Sequence, residues 1–248
     1  MRGLIRFLAL AATPAAAQMQ PDFTQIGAAV NAIAFPVTMN MCNAGLCGPQ
    51  PGASGPRKSI GVPPAFIRGA KPLPASAPAS AGIYQPTPAL GRQALAGYVQ
   101  RIRRANPGLA DQVAREFGKH DYQAIYRSIV ADDGFGSNSV SDAMAAYLTL
   151  TWMIANNANR EPSAAEVLGV RRQIAARVAG NPALLANRAQ LGEELKLLLV
   201  TTHAGFQSSR KEGTQRRYAD GVAAMIRKHY DLDLRALRLT PNGFAPRA

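Results

Sequence analysis

The two cysteines of this sequence, Cys42 and Cys47, lie close together in the segment CNAGLC. Asn43 and Gly45 between them favour a turn of the chain. In an oxidising compartment this spacing predicts a local disulfide, which would stabilise the turn more than the whole protein because it closes a short loop. The spacing is too long for a C-x-x-C redox motif, and no histidine lies nearby to complete a metal site.

Metal binding needs several ligands at matching positions, and the sequence shows no such arrangement. The three histidines, His120, His203 and His229, do not lie at helical metal-binding spacing from one another or from a cysteine. The loop DDGFGSN resembles a calcium loop but lacks the alternating ligands and the final bidentate glutamate. We therefore expect no metal and no cofactor, and we expect a buried, hydrogen-bonded His203. Phe135 in this loop either faces solvent or packs on the next helix.

Carboxylates are the remaining candidates for acid or base chemistry, as in enzymes that cleave wall glycans. Glu166 ends the capping box SAAE, which explains it structurally, and Glu193 and Glu194 are expected to be ordinary charges of a long helix. Asp142 is expected near the N-terminus of a buried helix, where a negative charge stabilises the helix dipole. A functional role for Asp142 would require an arginine partner in a cleft. Because signatures of a serine or cysteine nucleophile are also absent, the sequence favours a non-enzymatic protein over an enzyme.

Basic charge is the strongest compositional feature, with 28 lysines and arginines against 15 acids, a net charge of +13 and a pI near 10.4. Such an excess attracts anionic material. If the helices align the arginines, they form an anion-binding face; solvated charge scattered over the helices is the alternative. The candidate anion-binding residues are Arg101, Arg103, Arg104, Arg171, Arg172, Arg216 and Arg217. Further basic pairs are Arg210 with Lys211 and Arg227 with Lys228.

The first seventeen residues, MRGLIRFLALAATPAAA, contain the three parts of a secretory signal peptide. Arg2 and Arg6 begin it, the apolar run is too short to span a bilayer, and small residues end it. A buried N-terminal helix fits Pro14 less well. We expect cleavage between Ala17 and Gln18, which leaves a periplasmic or secreted protein without a transmembrane anchor and with a charge of +11. The expected partner is an anionic envelope component or an acidic protein, and not a nucleic acid.

The rest of the chain divides into a leader and a domain. Residues 18–88 hold most of the eighteen prolines, and Pro49–Pro88 is also rich in alanine, serine and glycine. This composition cannot form a packed core and predicts a flexible, largely irregular leader. Before it, Phe23–Val37 fits a short amphipathic helix or a docking strand equally well. From residue 89 to residue 248, apolar residues recur at helical spacing with almost no strand signal, which predicts an all-α domain.

One segment of this domain, DAMAAYLTLTWMIANN, is apolar almost all round and predicts the buried central helix of a multi-helix bundle. Ser139 or Ser141 is expected to cap it. Each of two Asn-Pro pairs is expected to end one helix and begin another. Residues 184–206 are expected to form one long helix, and Leu232–Leu239 a last short helix or an extended tail.

Two segments, DAMAAYLTLTWMIAN and YADGVAAMIRKHYDLDLRALRLTPNGF, resemble an uncharacterised family of exported bacterial proteins, a domain of unknown function. The resemblance covers Leu90 to Phe244. It implies a secreted, mostly helical domain after a variable, proline-rich leader, and it implies no activity and no catalytic residues. We expect an exported helical domain that binds an envelope component or another protein. The alternatives are a wall-degrading or other secreted hydrolase and a secreted effector or toxin.

Overall fold

A computed structural model of the chain describes residues 82–247. Several predicted features lie outside these residues, namely the signal peptide with its cleavage site at Ala17 and Gln18, the disulfide of Cys42 and Cys47, and the leader up to residue 81. Eight α-helices hold most of the described residues, and the only sheet among them has two strands. The predicted all-α fold class is therefore confirmed.

The helices and strands follow one another with short connections. The helices are α1 (Pro88–Ala105), α2 (Pro107–Lys119), α3 (Tyr122–Val130), α4 (Val140–Ala155), α5 (Ala164–Ala179), α6 (Pro182–Ala186), α7 (Arg188–Lys211) and α8 (Gln215–Tyr230). Two 3₁₀ turns, Ala131–Asp133 and Leu234–Ala236, follow α3 and α8, and the strands are β1 (Leu237–Thr240) and β2 (Gly243–Pro246). Across residues 82–247, none of the helices combines the length and the apolar character that a bilayer crossing requires.

Local sequence explains where several helices begin. Asn106 and Asn181 each cap a helix with the side-chain oxygen, and a proline occupies the first helical position after each of them. Ser139 caps α4 through its hydroxyl. Ser163 and Glu166 form the reciprocal capping box at the start of α5. These helix starts confirm the predictions made from short motifs.

The prediction of one helix over residues 184–206 is wrong. The short helix α6 ends at Ala186, and α7 begins at Arg188. Asn187 separates them with a non-helical backbone (φ −106°, ψ 13°), and its side chain donates to the carbonyl of Ala183. The side-chain bond gives the backbone an alternative to continuing the helix.

Two buried helices form the centre of the fold. Every residue of α4 except Asp142 is buried, which confirms the predicted central helix. Helix α7 packs along α4 and is buried continuously from Leu191 to Thr202. Helices α1 and α3 cover α7, α5 covers α4, and α8 contacts both. The second central helix was not predicted because charged residues interrupt its apolar sequence.

A C-terminal β-hairpin ends the fold. The span Leu232–Leu239, predicted as a last short helix or an extended tail, contains the 3₁₀ turn Leu234–Ala236 and the start of β1, and its pairing with β2 was not predicted. The hairpin packs against α5 at Gly169, where a Cβ atom would lie 2.4 Å from the carbonyl oxygen of Pro241. The indole Nε1 of Trp152 on α4 donates to the carbonyl oxygen of Leu237 at 2.9 Å. Gly243 has a φ of +99°, a conformation that other residues rarely adopt. Contacts with α4 and α5 thus stabilise β1 and β2, which have only four residues each.

Candidate functional site

Helix α7 carries a buried polar cluster, which we call the Glu193–Lys196 centre. Lys196 Nζ lies 2.7 Å from Glu193 Oε1, and the two side chains are 1% and 0% exposed. The hydroxyl of Tyr84 donates to the same oxygen at 2.9 Å. The other oxygen, Oε2, accepts from the Tyr122 hydroxyl at 2.6 Å and from Gln123 Nε2 at 3.0 Å. The carboxylate therefore accepts four hydrogen bonds, two on each oxygen.

Burial sets the protonation of the groups around this centre. The Lys196 ammonium lies 5.4 Å and 5.7 Å from the ring centroids of Tyr84 and Tyr126, within cation–π range of both. Burial lowers the pKa of Lys196, and the hydrogen bond to Glu193 opposes this shift. Burial, together with the nearby carboxylate, raises the pKa of Tyr84 and of Tyr122 well above the ordinary value. Both phenols therefore remain protonated and serve as donors to the carboxylate.

Two glycines provide the space for the donors of this centre. A Cβ atom at Gly192 would lie 2.5 Å from the Tyr84 ring, so only glycine lets the ring lie directly on α7. A Cβ atom at Gly91 of α1 would lie 2.9 Å from Gln123 Nε2 and 3.2 Å from the Tyr122 hydroxyl. Close backbone approach is a common reason for glycine inside a helix, where its conformational entropy is otherwise unfavourable.

Residues 82–87, which the sequence placed in the flexible leader, close the centre from outside. The Tyr84 amide donates to the carbonyl of Asn138 at 2.9 Å, and Arg188 Nε donates to the carbonyl of Ile83 at 2.9 Å. These bonds hold the Tyr84 ring over Lys196. Because both charged groups are shielded from solvent and the Glu193 carboxylate already accepts four hydrogen bonds, the arrangement suits stabilisation of the fold better than turnover of a substrate.

The neighbouring residue, Glu194, has a separate partner. Arg101 Nη1 lies 3.1 Å from its Oε1, and Gln190 Nε2 donates to the same oxygen at 2.8 Å. Glu193 and Glu194 were expected to be ordinary helix charges, and this expectation is wrong because packing on all sides of α7 buries both. The Arg101 side chain is only 13% exposed, so it serves Glu194 instead of facing an external anion.

Asp142 has the arginine partner that a functional role would need. Arg171 Nε and Nη2 donate to its two oxygens at 3.0 and 2.9 Å, and the Gly136 amide donates at 2.7 Å. The guanidinium carbon lies 5.5 Å from the ring centroid of Phe135, which is buried and therefore packs inward. This bidentate pair ties the loop before α4 to α5. Arg171 and the Gly136 amide already donate to both oxygens of the Asp142 carboxylate, so the pair has a structural explanation.

A pocket of about 350 Å³ lies at the other end of α4, between α7 and the start of α8. Its lining residues are Met153, Asn157, Ala158, Asn159, Phe206, Arg210 and Gln215. Met153 is buried, Phe206 and Ala158 are partly buried, and the polar side chains are exposed. The described lining thus combines an apolar floor with three amides and one guanidinium, and it contains no acid.

Beside the pocket, the connection between α7 and α8 is strongly basic. We call its four exposed cationic residues, Arg210, Lys211, Arg216 and Arg217, the basic turn. Within residues 82–247, no acidic side chain forms an ion pair with Lys211, Arg216 or Arg217. The acids nearest in sequence have other contacts, because Glu212 accepts from Ser208 and Asp220 pairs with Arg235. Lys211, Arg216 and Arg217 of the basic turn therefore present their charge to solvent.

The predicted anion-binding arginines do not share one face. Arg101 contacts Glu194, which precedes Arg210 by sixteen helical residues, or about 24 Å along α7. Arg171 lies at the N-terminal end of α4 beside Asp142, whereas the pocket lies at its C-terminal end. The seven residues thus divide into groups on α1, α5 and α8.

The other predicted anion-binding arginines differ in whether they already form an ion pair or a hydrogen bond within the fold. Arg103 pairs with Asp111 at 2.6 Å, and Arg172 donates to the carbonyl of Pro241 at 3.0 Å. Arg104 is exposed on α1 and has no ion-pair partner among residues 82–247. Arg216 and Arg217 are the two members that belong to the basic turn, where they join the pair predicted separately at residues 210 and 211.

His203 lies on α7 and is partly buried, with its Nε2 atom 3.2 Å from Gln207 Nε2. Burial lowers the pKa of His203 to about 4. No group of three or more histidines, cysteines or carboxylates suited to a metal occurs within the described part of the chain. We therefore interpret His203 as a structural residue of α7, partly buried beside Gln207.

Acid should destabilise the protein through His203. The unfolded histidine titrates near pH 6.5 and the folded one near pH 4, so between these values the unfolded state binds the extra proton. Stability is therefore present above pH 6.5 and decreases as the pH falls, by about 2 kcal/mol at pH 5. Urea unfolding at pH 7 and pH 5 should show this decrease, and His203→Gln should reduce it. His120→Gln is the matched control; an equal reduction there would contradict the assignment.

Comparison with known proteins provides no assignment. No protein-family model matches the chain, and no curated protein or solved structure is significantly similar to it. The geometry of residues 82–247 is therefore the basis for a functional proposal, and the resemblance to a family of exported proteins stays a prediction.

Proposed function

We propose that this protein is a non-enzymatic binding domain for an anionic component of the bacterial envelope. The observation that carries the proposal is the basic turn, where the exposed side chains of Lys211, Arg216 and Arg217 lie beside a pocket whose described lining contains no acid. Residues 82–247 contain 22 basic and 14 acidic side chains, a net charge of +8, so the surrounding field also favours an anion. The envelope is the proposed location because the N-terminus has the features of a signal peptide.

The energetics favour an extended anion over a single small ion. One exposed ion pair contributes only about 0 to 1 kcal/mol, because water screens it and the long side chains lose freedom. The basic turn has four cations within the eight residues from 210 to 217, so a polymer or a charged surface engages several at once. Such binding decreases as salt screens the charges, with a Debye length of about 10 Å at 0.1 M.

The hydrolase alternative receives less support from this geometry. A glycan hydrolase needs a carboxyl group that reaches the substrate, and usually a second one close by. Glu193, Glu194 and Asp142 each have partners within the fold, and none of them lines the pocket. The described pocket therefore supports binding better than bond cleavage.

Cosedimentation tests the proposal. The full chain is mixed with purified wall sacculi or with anionic phospholipid vesicles, at about 0.05 M and about 0.5 M salt. We expect retention on one of these anionic materials at low salt and release at high salt. The double variant R216Q/R217Q should bind about tenfold more weakly, which corresponds to about 1.4 kcal/mol.

The matched control is R104Q/R115Q, which removes the same charge from exposed arginines of α1 and α2. This control should change affinity by less than about twofold if the basic turn is the contact surface. Equal losses in both variants would mean that net charge alone drives binding. If the protein is retained on neither material at low salt, the proposal is overturned.

A further inference from the structure

Residues 82–87, which we call the strap, dock on the helical domain as a bound peptide docks in a recognition groove. Burial alternates along the strap, with Gly82 and Tyr84 buried and with Ile83 and Gln85 exposed. This period of two is that of a β-strand, whose successive side chains point to opposite faces. The strap therefore directs every second residue towards the domain and leaves the others in solvent.

Backbone hydrogen bonds fix the register of the strap against the loop before α4, through an antiparallel bridge. The Tyr84 amide donates to the carbonyl of Asn138 at 2.9 Å. On the other side of the bridge, the Val140 amide donates to the carbonyl of Gly82 at 3.0 Å. Peptides that are recognised by strand addition are held in the same way, with main-chain bonds for affinity and with pockets for alternate side chains.

Two close contacts make the groove selective for the sequence of the strap. A Cβ atom at Gly82 would lie 2.5 Å from Ser141 Oγ, so glycine fits this position best. The Tyr84 ring lies over Gly192 of α7, where the three atoms nearest to an added Cβ all belong to this ring. The Tyr84 hydroxyl donates to Glu193 Oε1 at 2.9 Å. The groove thus fits a tyrosine that follows two positions after a glycine.

A short connection joins the strap to the rest of the domain. Thr87 caps α1, because its side-chain oxygen accepts from the Leu90 amide at 3.1 Å, so only Gln85 and Pro86 lie between this cap and Tyr84. A short tether gives a docked segment an effective concentration in the millimolar range, so docking within one molecule needs only weak affinity. Exchange of an identical segment between two copies uses the same contacts and requires no new interface.

From these features we infer that the groove between α7 and the loop before α4 is a peptide-recognition site. The strap occupies this site within one molecule, and the site accepts the Gly-Ile-Tyr segment of a second copy of this chain when its own strap is displaced. The second copy is the partner because its strap carries both residues that the groove selects, the glycine and the tyrosine. The site contains no residue of the basic turn and is therefore independent of the proposed function.

Two complementary variants of the full chain test the exchange by sedimentation velocity. Y84A removes the anchor of the strap and leaves the groove open, whereas G192A fills the slot of the ring and leaves the strap intact. In Y84A the Glu193 carboxylate still accepts three hydrogen bonds, so the fold should persist. We expect monomers of each variant alone and a one-to-one complex in the mixture.

The matched control replaces G192A with Y84A/G192A, which has the same filled slot but no tyrosine to donate. Its mixture with Y84A should contain monomers only. A complex in this control mixture, or monomers only in the mixture of Y84A with G192A, would overturn the proposal.

Hydrogen exchange at one amide measures occupancy of the groove directly. The Val140 amide donates to the strap, whereas the Val167 amide at the start of α5 donates to the carbonyl of Ser163. Y84A should accelerate exchange at Val140 by at least about tenfold and leave Val167 unchanged. The peptide GIYQPT, at about 1 mM, should restore slow exchange at Val140, and GIAQPT should not. Equal acceleration at both amides, or no restoration by GIYQPT, would contradict a recognition site.

Discussion

Replacing Lys196 with methionine should lower the free energy of unfolding by about 3 to 5 kcal/mol. The substitution leaves the Glu193 carboxylate buried without its cation, and an unpaired buried charge is among the costliest defects in a protein. The remaining donors, from Tyr84, Tyr122 and Gln123, are neutral and replace only part of the lost interaction. Urea unfolding followed by circular dichroism measures the difference.

The chain contains a closely matched control for this substitution. Glu116 and Lys119 have the same order and spacing as Glu193 and Lys196, but they lie on α2 with the lysine exposed. Lys119→Met should therefore cost less than about 1 kcal/mol. If Lys196→Met and Lys119→Met have equal effects, burial does not govern the Glu193–Lys196 centre, and our account of it is wrong.

A double substitution separates charge from hydrogen bonding at this centre. In K196M/E193Q the glutamine is neutral, and its side-chain oxygen still accepts from the Tyr122 hydroxyl. The double variant should therefore be more stable than K196M alone by about 1 to 3 kcal/mol. If the losses from the two substitutions are additive, the two charges are not energetically coupled, and the result contradicts this account of the ion pair.

Replacing Trp152 with alanine should lower the free energy of unfolding by about 3 to 5 kcal/mol, the range for deleting a large aromatic side chain from a core. Trp152 is buried on α4, and its indole N–H reaches the carbonyl oxygen of Leu237 in β1. The substitution therefore removes core volume and one link between the helical core and the hairpin. Urea unfolding measures the total loss.

Trp152→Phe distinguishes these two contributions. The phenyl ring keeps most of the apolar volume, and the Leu237 carbonyl still accepts from Arg247 Nε at 2.9 Å. We expect a smaller loss of about 1 to 2 kcal/mol. The substitution should accelerate hydrogen exchange more in β1 and β2 than in the distant helix α2. Uniform acceleration in all elements would contradict a local role of the indole in anchoring the hairpin.

The Glu-Lys pairs show why the buried centre was not predicted. In the sequence, Glu193 with Lys196 and Glu116 with Lys119 have the same spacing, and both occur in segments of helical periodicity. One pair is buried and the other has an exposed lysine because α7 is covered on all sides, whereas α2 lies at the periphery. Burial depends on residues far away in the chain, including Tyr84, which composition assigned to the leader.

The pocket could not be predicted from the sequence, because it too depends on residues that are far apart in the chain. Its described lining comes from the end of α4, the connection that follows α4, the second half of α7 and the first residue of α8, which only the tertiary structure brings together. The basic turn, in contrast, was visible as two basic pairs, because its residues are close in the chain. The predicted arginines do not align on one face, because they lie on α1, α5 and α8, which contact the two central helices at different places.

By itself, the sequence determined the helical class, most helix starts, the buried character of α4 and the basic turn. These features depend on interactions within a few residues, such as the hydroxyl cap of Ser139 or the capping box of Ser163 and Glu166. Only the tertiary structure decided which charges are buried, which arginines are engaged, where the pocket lies and that a hairpin ends the fold. Those features depend on contacts between distant segments, and neither spacing nor composition encodes such contacts directly.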